Sequence, residues 1–159
     1  MASDATAADC QQLAQSGQRD KALDCFRAQV KKNPDDVDSR NAIGALLAGQ
    51  KKYQSALAEF EEVVKRKPAD PVALNGKAMM LIALNKIDEG FATLQKALEI
   101  NPNNVQALHN LALINARHDH FDVAVPLWQR VLAVNPDDPD ALVGLGEILM
   151  KQGKLDEAL

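Results

Sequence analysis

Two histidines and two carboxylates stand almost side by side in this chain: His118, Asp119, His120 and Asp122. Imidazole nitrogens and carboxylate oxygens are the donors a borderline divalent metal takes. A committed site needs a third or fourth ligand, and a His-x-His pair in a turn brings only two imidazoles. No metal site is expected. Glu61–Glu62 and Asp137–Asp138 pair carboxylates as acid–base chemistry would require, but their places are a solvated helix face and a helix cap. The sequence holds no glycine-rich phosphate loop and no nucleophile elbow. It offers no catalytic residue and implies no cofactor.

The elements around these residues are marked by punctuation. Pro34, Pro68, Pro102 and Pro136 recur at a spacing of 34 residues, each after a polar residue. A proline removes a backbone donor and clashes with the preceding turn, so it stops a helix. Two residues later stand Asp36, Asp70, Asn104 and Asp138, whose side-chain oxygens suit the free N–H groups of a starting helix. Pro71 and Pro139 then fall at the first helical position, where a fixed φ is an asset. Four such stops at one period mean a repeat protein.

Columns at that period agree. Small residues run Cys10, Gly44, Ala78, Ala112, Gly146, and again Ala22, Ala56, Gly90, Ala124, Ala158. Bulky residues run Phe26, Phe60, Leu94, Trp128; a further apolar column reads Leu13, Leu47, Leu81, Asn115, Leu149. Small columns let helices approach and bulky columns fill the seam. Cys10 and Cys25 are the two cysteines. Cys10 takes a small buried slot and Cys25 a partly exposed one. Two free thiols are expected, with a disulfide between the first two helices as the alternative in an oxidising compartment.

The totals fit. Apolar residues at 47% and charged residues at 25% are globular proportions, and aromatics at 4% suit close helix packing rather than a sandwich. A net charge of −4 argues against a nucleic-acid partner, which wants a basic face. No apolar run approaches the roughly 20 residues that span a bilayer, so no membrane insertion is expected. Met1 to Ala8 shows no signal-peptide pattern, which leans to the cytoplasm; a mature periplasmic domain is the alternative.

Period, columns and closing proline together resemble the tetratricopeptide repeat. The resemblance implies an all-α fold, a right-handed α-solenoid of helix–turn–helix units, as one domain over 1–159. Its repeats fall at about 3–36, 37–70, 71–104 and 105–138, with a partial fifth at 139–159. Helices are expected near 5–16, 19–32, 37–50, 52–66, 71–84, 87–100, 105–117, 120–134 and 139–152. Asp9 stands where such repeats carry a large apolar residue, so the first helix is expected to fray. Pro126 falls early in a second helix and predicts a mild bend. Lys77, in a column shared with Ile43, Leu111 and Leu145, is expected to pack its stem and snorkel. Asn115 needs a backbone partner or marks a soft spot. Leu155, Ala158 and Leu159 fit the columns, so the last unit is expected to be cut short, as in a fragment or an end that pairs with another chain.

The family's function, by resemblance, is to bind a peptide or protein segment in a concave groove without catalysis. Its groove offsets fall here on Asn41, Ala45, Asn75, Met79, Ile82, His109, Asn110, Leu113 and Arg117. The same offsets also take Asp38, Ala42, Ala48, Val72, Gly76, Gln106, Ala116, Asp140, Val143, Glu147, Met150 and Lys151. Asn41 and Asn75 share a column, as amides that grip a peptide backbone should. Met79, Ile82, Leu113 and Met150 add an adaptable apolar strip. The cationic clamp that some relatives close on acidic chaperone tails is absent: its places hold Asn41, Ala45, Gly76, Gln106 and Asn110, or one unit on, Asn75, Met79, Asn110, Asp140 and Gly144. The rivals are a homo-oligomer through the truncated fifth repeat, and the docking domain of a larger enzyme or secretion machine.

Overall fold

A computed structural model describes residues 6–153, and among them every regular element is an α-helix. They are α1 (Ala7–Gln15), α2 (Arg19–Lys32), α3 (Val37–Gly49), α4 (Tyr53–Arg66), α5 (Pro71–Ala83), α6 (Ile87–Ile100), α7 (Val105–Arg117), α8 (Phe121–Val134) and α9 (Pro139–Lys151). Each begins and ends within a turn of the span the sequence predicts. None is long and apolar enough to cross a membrane. The expectations for Leu155, Ala158 and Leu159 lie outside the described residues.

The punctuation works as the residue types require. Asp36, Asp70, Asn104 and Asp138 each accept a hydrogen bond from the N–H three residues on, at 3.0, 2.9, 3.1 and 3.0 Å. Pro71 and Pro139 take the first helical turn. A second punctuation mark closes the first helix of each unit. Gly17, Lys51, Asn85, Asp119 and Gly153 all have positive φ, between 58° and 78°. At the turn after α3, Lys51 N–H donates to Ala48 O and Lys52 N–H to Leu47 O, both at 2.9 Å. That is the Schellman pattern, and Gly17–Gln18, Asn85–Lys86 and Asp119–His120 repeat it. His118 and His120 therefore flank a helix stop.

The helices fall into two compact units, one up to Gly90 and one from Phe91. In the first, α1 packs on α2, α2 on α3, α3 on α4 and α5, and α4 on α5. Cys10, Ala22, Phe26, Ile43, Leu47, Phe60, Val63 and Leu81 are buried between them. In the second, α7 packs on α8 and α9, and α8 on α9, around Leu108, Ala112, Ala124, Trp128, Val131, Ala141 and Ile148. Neighbour-on-neighbour packing is how repeats build a core that none could bury alone.

Glycines set the approach of the helices at the aromatic column. A Cβ on Gly76 would stand 2.5 Å from the Phe60 ring, and one on Gly44 2.8 Å from it. A Cβ on Gly144 would stand 2.4 Å from the Trp128 indole. The ring fills the space where the side chain is missing.

One expectation is corrected. The cysteines are not free thiols: Cys10 and Cys25 form a disulfide that joins α1 to α2 with Cα atoms 5.4 Å apart. The small column and the next helix's inner edge bring the two sulfurs together, a proximity the columns alone did not demand. Asp9, where a large apolar residue is usual, instead caps the start of α1. Thr6 N–H donates to Asp9 Oδ2 at 2.6 Å while Thr6 Oγ1 accepts from Asp9 N–H, a reciprocal capping box.

Three departures resolve within the packing. Lys77 keeps its stem half-buried and reaches Glu61 with its ammonium at 3.3 Å. Asn115 is buried and donates its amide to Leu111 O at 2.7 Å. α8 runs unbroken through Pro126.

Candidate functional site

The first helices of the units carry small residues on the side turned away from the second helices, and small residues leave clefts. In the first unit a groove of about 630 Å³ opens with Ala7, Gln11, Ala14 and Gln15 of α1 along one wall. Asp38, Asn41, Ala42 and Ala45 of α3 form the other, with Phe26 and Val72 also lining it. Ala45 is exposed, and Val72 shows 57% of its surface. Apolar surface held open by alanine is what an incoming side chain needs.

Behind the α3 wall lies a buried polar joint. Asn41 Nδ2 donates to Asp70 Oδ1 at 3.1 Å, and Asp70 is 4% exposed. Burial pushes the Asp70 carboxyl up. Hydrogen bonds from Ala73 N–H, the Asn41 amide and the Lys67 ammonium outweigh it and hold the pKa below the ordinary carboxylate value of 3.8. One carboxylate thus caps α5 and orients the asparagine of α3.

In the second unit a groove of about 500 Å³ is walled by His109, Leu113, Ala116 and Arg117 of α7 and by Asp140, Val143, Gly144 and Glu147 of α9. Trp128 lies at its floor beside Gly144. The His109 ring meets the indole edge-on, with centroids 6.5 Å apart. Charged Arg117 of α7 and Asp140, Glu147 and Lys151 of α9 line the groove together with the apolar Val143, 61% exposed. Lys151 also sits 3.3 Å from Asp119 and 5.5 Å over the Phe121 ring. The rim is mixed in sign.

Of the nine sequence-predicted groove residues, Asn41 and Ala45 line the first groove, and His109, Leu113 and Arg117 the second. Asn75 is buried and donates to Pro71 O at 3.0 Å. Met79 packs against the core of its unit, and Ile82 lies against Gly90. Asn110 is buried in α7. These four line neither groove. Sequence reasoning passed over the α1 wall, Phe26 and Trp128. The first unit's own columns carried the signal for α1, since Ala7, Gln11 and Ala14 sit at helical spacing.

His118 and His120 stack with ring centroids 6.3 Å apart on their turn. The residues that do approach metal-ligand spacing are His109, Asp138 and Asp140, whose donor atoms lie within 4.8 Å of one another. Asp138 Oδ1 is already taken by Ala141 N–H. Both aspartates also sit at the positive end of the α9 dipole, which opposes a cation.

Two family models described as tetratricopeptide repeat match the chain, one over residues 11–71 and 109–159, the other over 47–114. No curated protein sequence matches it. Among solved structures, PilF of Pseudomonas aeruginosa superposes with a TM-score of 0.81 at 15% identity, covering 96% of this chain and 74% of that one. TTC0263, a thermophilic TPR protein of Thermus thermophilus, gives 0.79 at 23% identity, with 94% and 82% covered. YrrB, described as a TPR protein with an unusual peptide-binding site, gives 0.66 at 18%, with 96% and 78% covered. At these identities the likeness concerns the fold.

Proposed function

Since the chain belongs to the tetratricopeptide-repeat family, we propose that it is a non-catalytic scaffold that holds a segment of a partner protein in its grooves. The observation that carries this reading is that each unit has a groove on its first helices, floored by an aromatic ring and edged by exposed apolar residues. Val72 and Val143 still expose 57% and 61% of their surface, so burying the rest contributes on the order of 1–2 kcal/mol each, enough to favour an apolar anchor on an otherwise extended segment. The mixed rim of Arg117, Lys151, Asp140 and Glu147 suits a segment that carries both charges. It does not suit a purely acidic tail.

In this reading Ala45, His109, Leu113 and Arg117 touch the ligand directly. Asn41 supports the wall, its amide nitrogen already given to Asp70. The peptide-binding site named for YrrB supports the same use of the fold. Selection from a displayed library of short unstructured peptides tests the proposal. Enriched peptides should lose binding at least tenfold to Ala45→Arg or Leu113→Arg, with helicity unchanged. Enrichment indifferent to both variants would move the binding surface elsewhere.

A further inference from the structure

α1 is the least self-sufficient helix described. It has nine residues, and isolated helices that short do not persist in water. It packs on α2, and Cys10 is its single buried residue. Its capping box is exposed and local. Leu13 and Ala14 pack only partly buried against the core, so the covalent bond from Cys10 to Cys25 of α2 adds what deeper apolar burial supplies elsewhere. Yet α1 gives the first groove a whole wall, through Ala7, Gln11, Ala14 and Gln15.

We propose that the Cys10–Cys25 bond is a redox latch on the first groove. Oxidised, it holds α1 against α2 and the groove keeps both walls. Reduced, α1 leaves and the groove keeps only the α3 wall. The regulatory meaning rests on the groove reading above, while the conformational change does not. The reductant is a dithiol. Its thiolate attacks the sulfur of Cys25, which is half-buried where Cys10 is fully buried. A mixed disulfide forms and Cys10 departs as a thiolate that takes a proton. The second thiol of the reductant then displaces Cys25 and leaves the reductant as a disulfide. Two electrons and two protons pass to the chain.

Hydrogen exchange on the full chain, without ligand, tests this. Dithiothreitol should speed exchange in α1 by on the order of 100-fold, the effect of opening a bond that closes a 15-residue separation. The amides of α3–α5 should not change. The Cys10→Ser/Cys25→Ser double variant should show the same pattern with no reductant. Equal α1 protection in both redox states would overturn the latch. So would equal loss through α3–α5, which would make the bond a staple for the whole unit. Exchange is read with no peptide present, so a failure of peptide binding sinks the groove reading and leaves this result standing.

Discussion

Gly144 lies against the flat of the Trp128 indole, so close that a Cβ would stand 2.4 Å from Cζ2. Phe60 and Gly76 make the same pair at 2.5 Å, and in both the glycine follows the ring by 16 residues. A rigid ring held on its other faces cannot swing away from a new methyl group. Gly144→Ala and Gly76→Ala should each cost about 1–3 kcal/mol in urea unfolding despite alanine's better helix propensity. Gly49, in α3, has nothing within 4 Å of its Cβ direction. Gly49→Ala should stabilise by about 0.5–1 kcal/mol. A stabilising Gly144→Ala would show that the ring is not seated this way.

Lys51 sits at φ 59° in a column otherwise filled by Gly17, Asn85, Asp119 and Gly153. A lysine there bears the left-handed penalty that glycine avoids and that Asn and Asp soften. Lys51→Gly should raise stability by up to about 1 kcal/mol, read as an increase in Tm. Gly17→Ala should lower it by a similar amount. Equal Tm for Lys51→Gly and the parent would contradict the assignment of a strained turn.

Asp70 links acid stability to the α3–α5 joint. Its folded-state pKa is depressed below 3.8, so its contribution is whole above the unfolded value and lost as pH falls through the folded one. Urea midpoints of the parent should hold from pH 7 to about 5 and drop below pH 4. Asp70→Ala should remove part of that drop and cost about 2–3 kcal/mol at pH 7, combining a lost cap with an unpaired Asn41 amide. A variant as acid-sensitive as the parent would assign the drop to other carboxylates.

Asn115 occupies a column of leucines and satisfies its amide on Leu111 O, one turn back. Asn115→Leu removes a buried polar group together with its need for a partner, so it should be neutral or stabilising by about 1 kcal/mol. A loss above about 1 kcal/mol would mean that the amide holds more than its own helix.

How far the sequence could be read follows from the range of each interaction. Pro34, Asp36 and their periodic counterparts act within one turn, so residue type and spacing announced every helix start. The left-handed column was equally local, but Lys51 interrupts it and hid the pattern. The disulfide depends on how closely α1 and α2 approach, and no column states a distance of 5.4 Å. Asn41 falls in a column that faces the groove, which makes it look like a peptide-gripping amide. Its bond to Asp70 crosses 29 residues, beyond the reach of any local pattern. The shared register of Asn41 and Asn75 is real, yet each spends its amide nitrogen inside the protein.

The scaffold reading stands or falls on where a ligand touches. Chemical-shift mapping of the labelled chain with a library-selected peptide answers that residue by residue. The largest shifts should fall at Ala45 and Val72 in the first groove, or at Leu113 and Val143 in the second. Shifts confined to the exposed faces of α2, α4 and α8 would contradict it.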